Sequence, residues 1–445
     1  MTPSVATLEQ RLAESIGDYL QVTCTTAINA DNLIISTELR SYDGGRDDYF
    51  GDWWVYITDK ANAGVLRQVN PDGYDTATGQ LTIRGAVLAD DSTNLATIRL
   101  HKYNRDLYIN AINDTIRETF PSFHKKLVID ELVTGNILPN SHFRDWAATT
   151  APDEYSMQDA NITAVASTTA GTYRGGRKSM KATTGAGGAG KYVYISSDTY
   201  PRLLDLMGNQ VSFYCWANPD DADDAFIEIY TIKADGTTTQ TLTSTTANPA
   251  GEFTLLKLED QTLNDDLVEI QFRFKVTTAS KNIYFDHARV IGRNQQDYLL
   301  PTDLANGRLT SVQVQAEGYS DRWCDDLLPR AWNDVHDWDI LDDGTNKFLH
   351  FGFLPLGERL IRLTGYAPLS TVSAYTSTIE IEGELVNRFL AYAKYKLYQA
   401  IEGPVSTYDI GRYELQSAKA YAEYERLSHL KMIPPRTSMK IRGIY

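Results

Sequence analysis

Apolar residues recur every three to four positions at the beginning of the chain, near residue 110 and near its end. This spacing places them on one face of a helix, and it predicts helices over 7–20, 103–120, 382–401 and 408–432. Thr7, with a glutamine three positions later, is predicted to cap the first of them.

Apolar and polar residues alternate between the first two helices, as they do in strands that bury one face. Strands are predicted over 53–58, 64–70 and 79–84. The segments NPDG (70–73) and TATG (76–79) have the residues of tight turns. This part of the chain is therefore predicted to form a small antiparallel β-unit.

From residue 136 to residue 292 helical spacing is nearly absent, and threonine, alanine, glycine and aspartate dominate. Short runs with strand periodicity recur at regular intervals, which is typical of a β-sandwich. The predicted strands are 191–197, 211–218, 226–233, 253–259, 268–276 and 282–292.

After this all-β segment, residues 347–353 and 358–368 are predicted to form a hairpin ahead of the last two helices. The predicted fold class is therefore α+β: a helical and small β body interrupted by an all-β sandwich inserted in a surface loop. The predicted domains are 1–135, 136–292, 293–430 and an extended arm, 431–445.

Composition and charge narrow the function classes. The net charge of −16 argues against a surface that coats nucleic acid, and no specific nucleic-acid binding is predicted. No run of 18 apolar residues is present, and the N-terminal residues lack the features of a secretory signal. Cys24, Cys215 and Cys324 are too few and too far apart for a disulfide framework or a zinc site.

The segment NILPNSHFRDW (136–146) resembles the start of jelly-roll carbohydrate-binding modules of the galactose-binding-like group, which open on Asn-Leu-(Leu/Ile)-x-Asn-x-x-Phe followed by Trp. GGRKSMKAT (175–183) is similar to an internal strand of these modules, and NIYFDHARVIG (282–292) to their closing strand. The resemblance covers nearly all of residues 136–292 and implies a jelly-roll sandwich.

The resemblance also implies a candidate glycan site. Sugar rings have apolar faces and polar rims, so they bind exposed aromatic side chains beside hydrogen-bonding groups. Tyr173, Tyr192, Tyr194 and Tyr230 are the candidates, with packing between strands as the alternative for each. Trp216, between apolar strand residues, is predicted to lie in the core.

Many of these modules hold a calcium ion between the closing Asp and an acid that follows the Phe. The resemblance therefore makes Asp286 a candidate metal ligand. Arg144 stands where the acid is expected, and this departure argues against the metal. No other metal and no cofactor is predicted.

The rest of the chain resembles tailed-phage head-to-tail adaptor (neck or connector) proteins, in the layout of an N-terminal helix, a β-unit with WWVYITDKANAGVLRQV, a helix like YINAINDTIRETF and a final helical pair with a tail. The resemblance implies a homo-oligomeric, twelve-fold ring in the virion neck, assembled in the host cytoplasm. Its implied partners are the portal protein and tail or nozzle/stopper proteins.

The arm, 431–445, has four basic residues and no acid, and its prolines prevent it from continuing a helix. A segment of this kind folds onto a partner or stays disordered. In the adaptor interpretation it docks on the portal, with apolar residues in grooves and basic residues on acids. The docking residues would be Arg436, Lys440, Arg442, Ile444 and Tyr445.

No enzymatic activity is predicted. GAGGAGK (185–191) has the glycine and lysine spacing of a phosphate-binding loop, but Tyr192 follows the lysine and a strand follows in place of a helix. The first hypothesis is thus a virion structural protein, an adaptor ring with an outward-facing jelly-roll module that binds glycans. The alternative is a carbohydrate-binding or carbohydrate-cleaving accessory protein.

Overall fold

A computed structural model describes residues 3–174, 177–247, 249–293, 295–316, 331–355, 357–374, 376–381, 383–402 and 410–429. The chain is mostly β, with 37% strand and 19% helix, so a helical adaptor body is not confirmed. It divides into two compact units, residues 1–125 with 368–445 and residues 126–367. The bounds of the four predicted domains stay predictions.

The described residues contain five α-helices, and all but the third belong to the first unit. They include the four predicted helices, each shorter than its prediction. None is long and apolar enough to cross a membrane. The helices are α1 (Val5–Ile16), α2 (Asp106–Glu118), α3 (Thr302–Ala305), α4 (Val386–Glu402) and α5 (Ile410–Ser428), with 3-10 turns at Thr37–Ser41, Pro201–Leu206 and Gly383–Leu385.

Helix α1 begins after Ser4, so the prediction that Thr7 caps it is wrong. Ser4 has an extended backbone, and its side chain accepts the backbone N–H of Thr7 at 3.2 Å. Thr7 already lies in the first helical turn, where its N–H needs this acceptor. The helix ends at Gly17, whose φ of 73° is the left-handed conformation that glycine adopts readily.

The predicted β-unit is an antiparallel sheet of six strands rather than three, in the order β1-β6-β3-β4-β5-β2. Its core is a cluster of buried apolar residues that includes Val22, Phe50, Val55 and Leu81. The strands are β1 (Leu20–Thr23), β2 (Leu33–Ile35), β3 (Trp54–Ile57), β4 (Leu66–Asp75), β5 (Gln80–Ile83) and β6 (Thr97–His101).

The segment NPDG (70–73) does not reverse the chain. It lies inside β4, where the register jumps from Val69 opposite Ile83 to Tyr74 opposite Leu81. Several residues of β4 thus face a single residue of β5, which makes a wide irregularity of the bulge type. The chain reverses after β4, at the predicted turn TATG (76–79).

A buried polar network joins α1, β6 and the start of α2 within the first unit. The side chain of Glu9 has no exposed surface, and its Oε2 lies 3.2 Å from Arg105 and 3.3 Å from Arg99. Its Oε1 lies 3.3 Å from Nε2 of the buried His101. The Arg105 guanidinium also packs on the ring of Tyr56, with 3.4 Å between Cζ and the ring centroid.

The second unit contains the predicted sandwich, two five-stranded sheets that enclose one apolar core. Sheet A has the order β15-β12-β17-β10-β9, and sheet B has the order β14-β13-β16-β11-β8. All six predicted strands are confirmed. The strands are β7 (Lys125–Val133), which lies outside the sandwich, β8 (Ser156–Met157), β9 (Ile162–Ser167), β10 (Ser179–Thr184), β11 (Tyr192–Ser196), β12 (Gln210–Pro219), β13 (Ala225–Lys233), β14 (Thr239–Thr243), β15 (Thr254–Thr262), β16 (Leu267–Val276) and β17 (Asn282–Ile291).

Phenylalanine rings fill the centre of the sandwich. Phe274 lies edge-on to Phe213 at 5.6 Å and to Phe285 at 5.5 Å, and Phe143 packs on it at 5.6 Å. All four side chains are fully buried. Phe143 belongs to the opening segment 136–146, so this segment helps to close the core.

Two further sheets of the second unit flank the sandwich in sequence, with orders β18-β22-β21 and β20-β19-β23-β7. The predicted hairpin of residues 347–353 and 358–368 is wrong, because β22 and β23 belong to different sheets. The hairpin partner of β22 is β21, across a turn at Gly344. The strands are β18 (Asp297–Leu299), β19 (Arg308–Gln315), β20 (Trp332–Val335), β21 (Trp338–Asp342), β22 (Lys347–Phe351) and β23 (Leu360–Ala367).

Candidate functional site

Sheet B presents a cluster of aromatic and charged side chains on the face that points away from the core. Successive residues of a strand point to opposite faces, so the buried Val193, Ile229 and Phe272 alternate with outward-pointing neighbours. These neighbours form what we call the aromatic face: Tyr192, Tyr194, Phe226, Glu228, Tyr230, Gln271, Arg273 and Lys275.

The register of three adjacent strands brings these residues together. On β16, Arg273 lies between Tyr194 of β11 and Glu228 of β13. One pair further along the strands, Lys275 lies between Tyr192 and Phe226. In the other direction, Gln271 is opposite Tyr230.

Arg273 is the centre of the face. Its guanidinium carbon lies 3.6 Å from the centroid of the Tyr230 ring and 4.4 Å from that of Tyr192. Nη1 donates to Oε1 of Glu228 at 2.8 Å, and Nε donates to Oε1 of Gln271 at 2.7 Å. The two rings and two acceptors hold the guanidinium in one orientation.

Lys275 completes the charged part of the face. Its ammonium donates to Oε2 of Glu228 at 3.1 Å and lies 5.1 Å from the ring of Phe226. Tyr192 and Tyr194 contact each other edge to face at 5.6 Å. The rings and charges therefore support one another across three strands.

The tyrosine hydroxyl groups of the face are available for a ligand. Tyr192, Tyr194 and Tyr230 are half-buried, and their hydroxyls make no hydrogen bond to any described residue. Partial burial raises the pKa of Tyr192, so its hydroxyl stays protonated and can donate as well as accept. Such a surface offers ring faces for stacking and polar groups for hydroxyl-rich ligands.

Three of the four predicted tyrosines thus meet on one face. Tyr173 does not join them, because it lies between β9 and β10, which are strands of sheet A. Trp216 is buried as predicted, under the guanidinium of Arg174 at 3.6 Å.

Sequence reasoning missed Phe226, Glu228, Arg273 and Lys275. The alternation within 226–233 and 268–276 was the available signal, since it places them opposite the core residues.

The residues near Asp286 do not fit a calcium site. Asp286 is fully buried, and its Oδ2 accepts the backbone N–H of Arg174 at 2.6 Å. Among the described residues, no group of three or more His, Cys, Asp or Glu side chains is placed to hold a metal ion. Arg144, which replaces the usual acid, can only donate, so it offers no ligand atom to a cation.

Arg144 instead makes ion pairs within the second unit, beside a cleft of about 290 Å³. Its guanidinium lies 3.3 Å from Glu131 of β7, 3.3 Å from Asp303 of α3 and 4.0 Å from Asp145. Burial raises the pKa of Glu131 and that of Asp145, and the charge of Arg144 opposes both shifts. The arginine therefore compensates carboxylates that would otherwise be costly to bury.

Replacing Arg144 with methionine is expected to destabilise the second unit by about 2 kcal/mol at pH 8, and by less at pH 5. Without the guanidinium the carboxyl pKa values rise further above their unfolded values. Groups of this kind stabilise the fold when protonated and lose that contribution as pH rises through the folded pKa. Urea unfolding at both pH values measures the difference.

Arg293→Met is the matched control, since it removes an exposed ion pair with Asp205. It is expected to change the stability little at either pH. If Arg144→Met lowers the free energy of unfolding equally at pH 5 and pH 8, Arg144 does not stabilise the fold by compensating the buried carboxylates.

No protein-family model matches the chain, and no curated protein matches it. Its neighbours among solved structures include carbohydrate-binding modules with a jelly-roll fold. The C-terminal family 22 carbohydrate-binding module of Clostridium thermocellum Xyn10B is 14% identical, over 36% of this chain and 93% of that one, with a TM-score of 0.30. The CBM22-1 xylan-binding domain of Paenibacillus barcinonensis Xyn10C is 14% identical, over 38% and 97%, with a TM-score of 0.26.

The enzymatically active domain of bacteriophage CBA120 tailspike protein 4 is also similar. It is 11% identical over 36% of this chain and 22% of that one, with a TM-score of 0.27. This chain therefore spans less than a quarter of that protein's length. None of the comparisons supports the adaptor part of the sequence prediction.

Proposed function

We propose that the protein binds carbohydrate on the aromatic face of sheet B. The observation that carries this proposal is the set of three tyrosines whose hydroxyls make no hydrogen bond to a described residue, grouped around an arginine held between two rings. A sugar stacks its apolar face on such rings and exchanges hydrogen bonds with their hydroxyls. The alternative hypothesis from the sequence thereby becomes the leading one.

We propose binding without cleavage. Glycoside hydrolysis needs one carboxyl group that holds a proton and a second that acts as nucleophile or base. Glu228 is the carboxylate at the centre of the aromatic face, and both its oxygens accept hydrogen bonds from cations. Both oxygens are therefore engaged by side chains of the protein itself, and the proposal gives Glu228 no role in catalysis.

The full chain should bind soluble oligosaccharides with dissociation constants of roughly micromolar to millimolar, because a half-buried face encloses little of its ligand. Titration calorimetry against a panel of neutral and acidic plant and bacterial oligosaccharides measures this directly. Reducing ends should not accumulate during the titration. If the chain binds no oligosaccharide of the panel, the proposal is wrong.

The adaptor interpretation stays a prediction from the sequence. Its ring, its portal and tail partners and its place in the virion neck rest on the resemblance alone, and the predicted docking arm, 431–445, lies outside the described residues. If the chain does form a ring, many copies of a weak site would act together and raise the avidity for a glycan surface.

A further inference from the structure

The charges of the aromatic face do not balance. Arg273 and Lys275 are both cations, and among the described residues Glu228 is the one acid that forms an ion pair with either of them. The next acid on the outward side of β16 is Glu269, four residues from Arg273 and so about 13 Å away along the strand. The centre of the face therefore carries one uncompensated positive charge.

The acceptors of Glu228 are already in use. Its Oε1 takes the Nη1 hydrogen of Arg273 and its Oε2 takes a hydrogen of Lys275, and its side chain is only 4% exposed. Nη2 of Arg273 donates to no described residue. The ammonium of Lys275 has three hydrogens, and only one of them is donated to a described residue, to Glu228. The face thus offers charged donors that lack an anionic acceptor.

These donors lie beside the stacking surface. The Tyr192 ring centroid is 4.4 Å from the guanidinium carbon of Arg273 and 5.8 Å from the ammonium of Lys275. A pyranose stacked on Tyr192 brings its rim, with the exocyclic group, close to both cations. A carboxylate at that position would accept charge-assisted hydrogen bonds, which a neutral hydroxymethyl group cannot match.

We infer that the ligand of the aromatic face is an oligosaccharide that carries a carboxylate, of the uronic acid class, with the carboxylate held by Arg273 and Lys275. The inference rests on the proposed carbohydrate binding and adds the chemical class of the sugar. The half-buried state of the two cations strengthens the preference, because solvent and salt screen them less than fully exposed charges.

The test uses the full chain and three acidic polysaccharides: a polygalacturonate, a glucuronate-substituted xylan and a polymannuronate. Each is compared with the same polymer after chemical reduction of its carboxyl groups to primary alcohols. At low salt, at least one acidic polymer should bind about tenfold more tightly than its reduced partner. The difference should shrink as sodium chloride is raised to about 0.5 M.

Lys275→Gln removes one cation and leaves Glu228 paired with Arg273. It should reduce the preference for the acidic polymer over its reduced partner from about tenfold to about twofold. Lys181→Gln makes the same charge change on the outward side of sheet A, and it should preserve the preference.

Equal binding of acidic and reduced polymers would overturn the inference and leave the proposed function standing. Equal losses in Lys275→Gln and Lys181→Gln would also overturn it, because the preference would then be a non-specific charge effect. No binding to any polymer, acidic or reduced, would overturn the proposed function together with the inference.

Discussion

Replacing Tyr230 with alanine is expected to weaken glycan binding by about 2 kcal/mol, or roughly thirtyfold in the dissociation constant. The substitution removes a stacking surface and also one of the two rings that hold Arg273, whose guanidinium lies 3.6 Å from the lost ring. Titration calorimetry with the tightest ligand of the panel measures the loss. The melting temperature should change little, since Tyr230 points away from the core.

Two further variants test whether the loss comes from the Tyr230 ring or its hydroxyl, and whether it depends on the aromatic face. Tyr230→Phe keeps the ring and removes the hydroxyl, so it should lose about 1 kcal/mol or less. Tyr214→Ala is a matched control, because Tyr214 is half-buried on sheet A and contacts Arg289 at 4.4 Å in a similar way. A loss in Tyr214→Ala as large as that in Tyr230→Ala would mean that the glycan does not lie on the aromatic face.

The second large effect is expected in the buried network of the first unit. Replacing Glu9 with alanine should lower the free energy of unfolding of this unit by about 3–5 kcal/mol. The substitution takes away the carboxylate that faces Arg105, Arg99 and His101 at 3.2–3.3 Å, so the buried Arg105 guanidinium loses this ion pair. Denaturant unfolding followed by circular dichroism at the helical band reports on this unit, which contains all the described helices except α3.

Glu14→Ala provides the control on the same helix. Glu14 is exposed and accepts a hydrogen bond from Gln10 at 2.9 Å, so its loss should cost at most about 0.5 kcal/mol. If the free energy of unfolding of the Glu9→Ala variant lies within about 1 kcal/mol of that of the unchanged protein, the network adds little net stability. In that case its polar contacts would serve only to offset their own burial.

The sandwich strands show which elements a sequence predicts well. Strands β12, β13 and β16 alternate large apolar residues with polar ones, and this period of two identifies them without further information. Strands β9 and β14 were missed because most of their residues are small or polar, so the alternation of apolar and polar positions has little contrast. Their place in the sandwich depends on pairing with stronger neighbours.

The errors in pairing have a common physical reason. Strands β22 and β23 are neighbours in the sequence, but β22 lies between β18 and β21 and β23 lies between β19 and β7, so they belong to different sheets. The residues NPDG (70–73) have turn chemistry and yet form an irregularity within β4. In both cases the pairing of whole strands, and not the residue types of a short segment, decided the local structure.

The candidate site was likewise predicted in part from the sequence and decided in part by the tertiary structure. The sequence by itself predicted a β-sandwich within residues 136–292, because strand periodicity recurs there. It named Tyr192, Tyr194 and Tyr230 as candidates and left packing between strands as the alternative for each. Only the tertiary structure decided that β11, β13 and β16 are adjacent, in the register that places Arg273 between Tyr194 and Glu228. From that position its guanidinium contacts the rings of Tyr192 and Tyr230. Strand order and register depend on how the whole core packs, and no local pattern within any one of these strands contains that information.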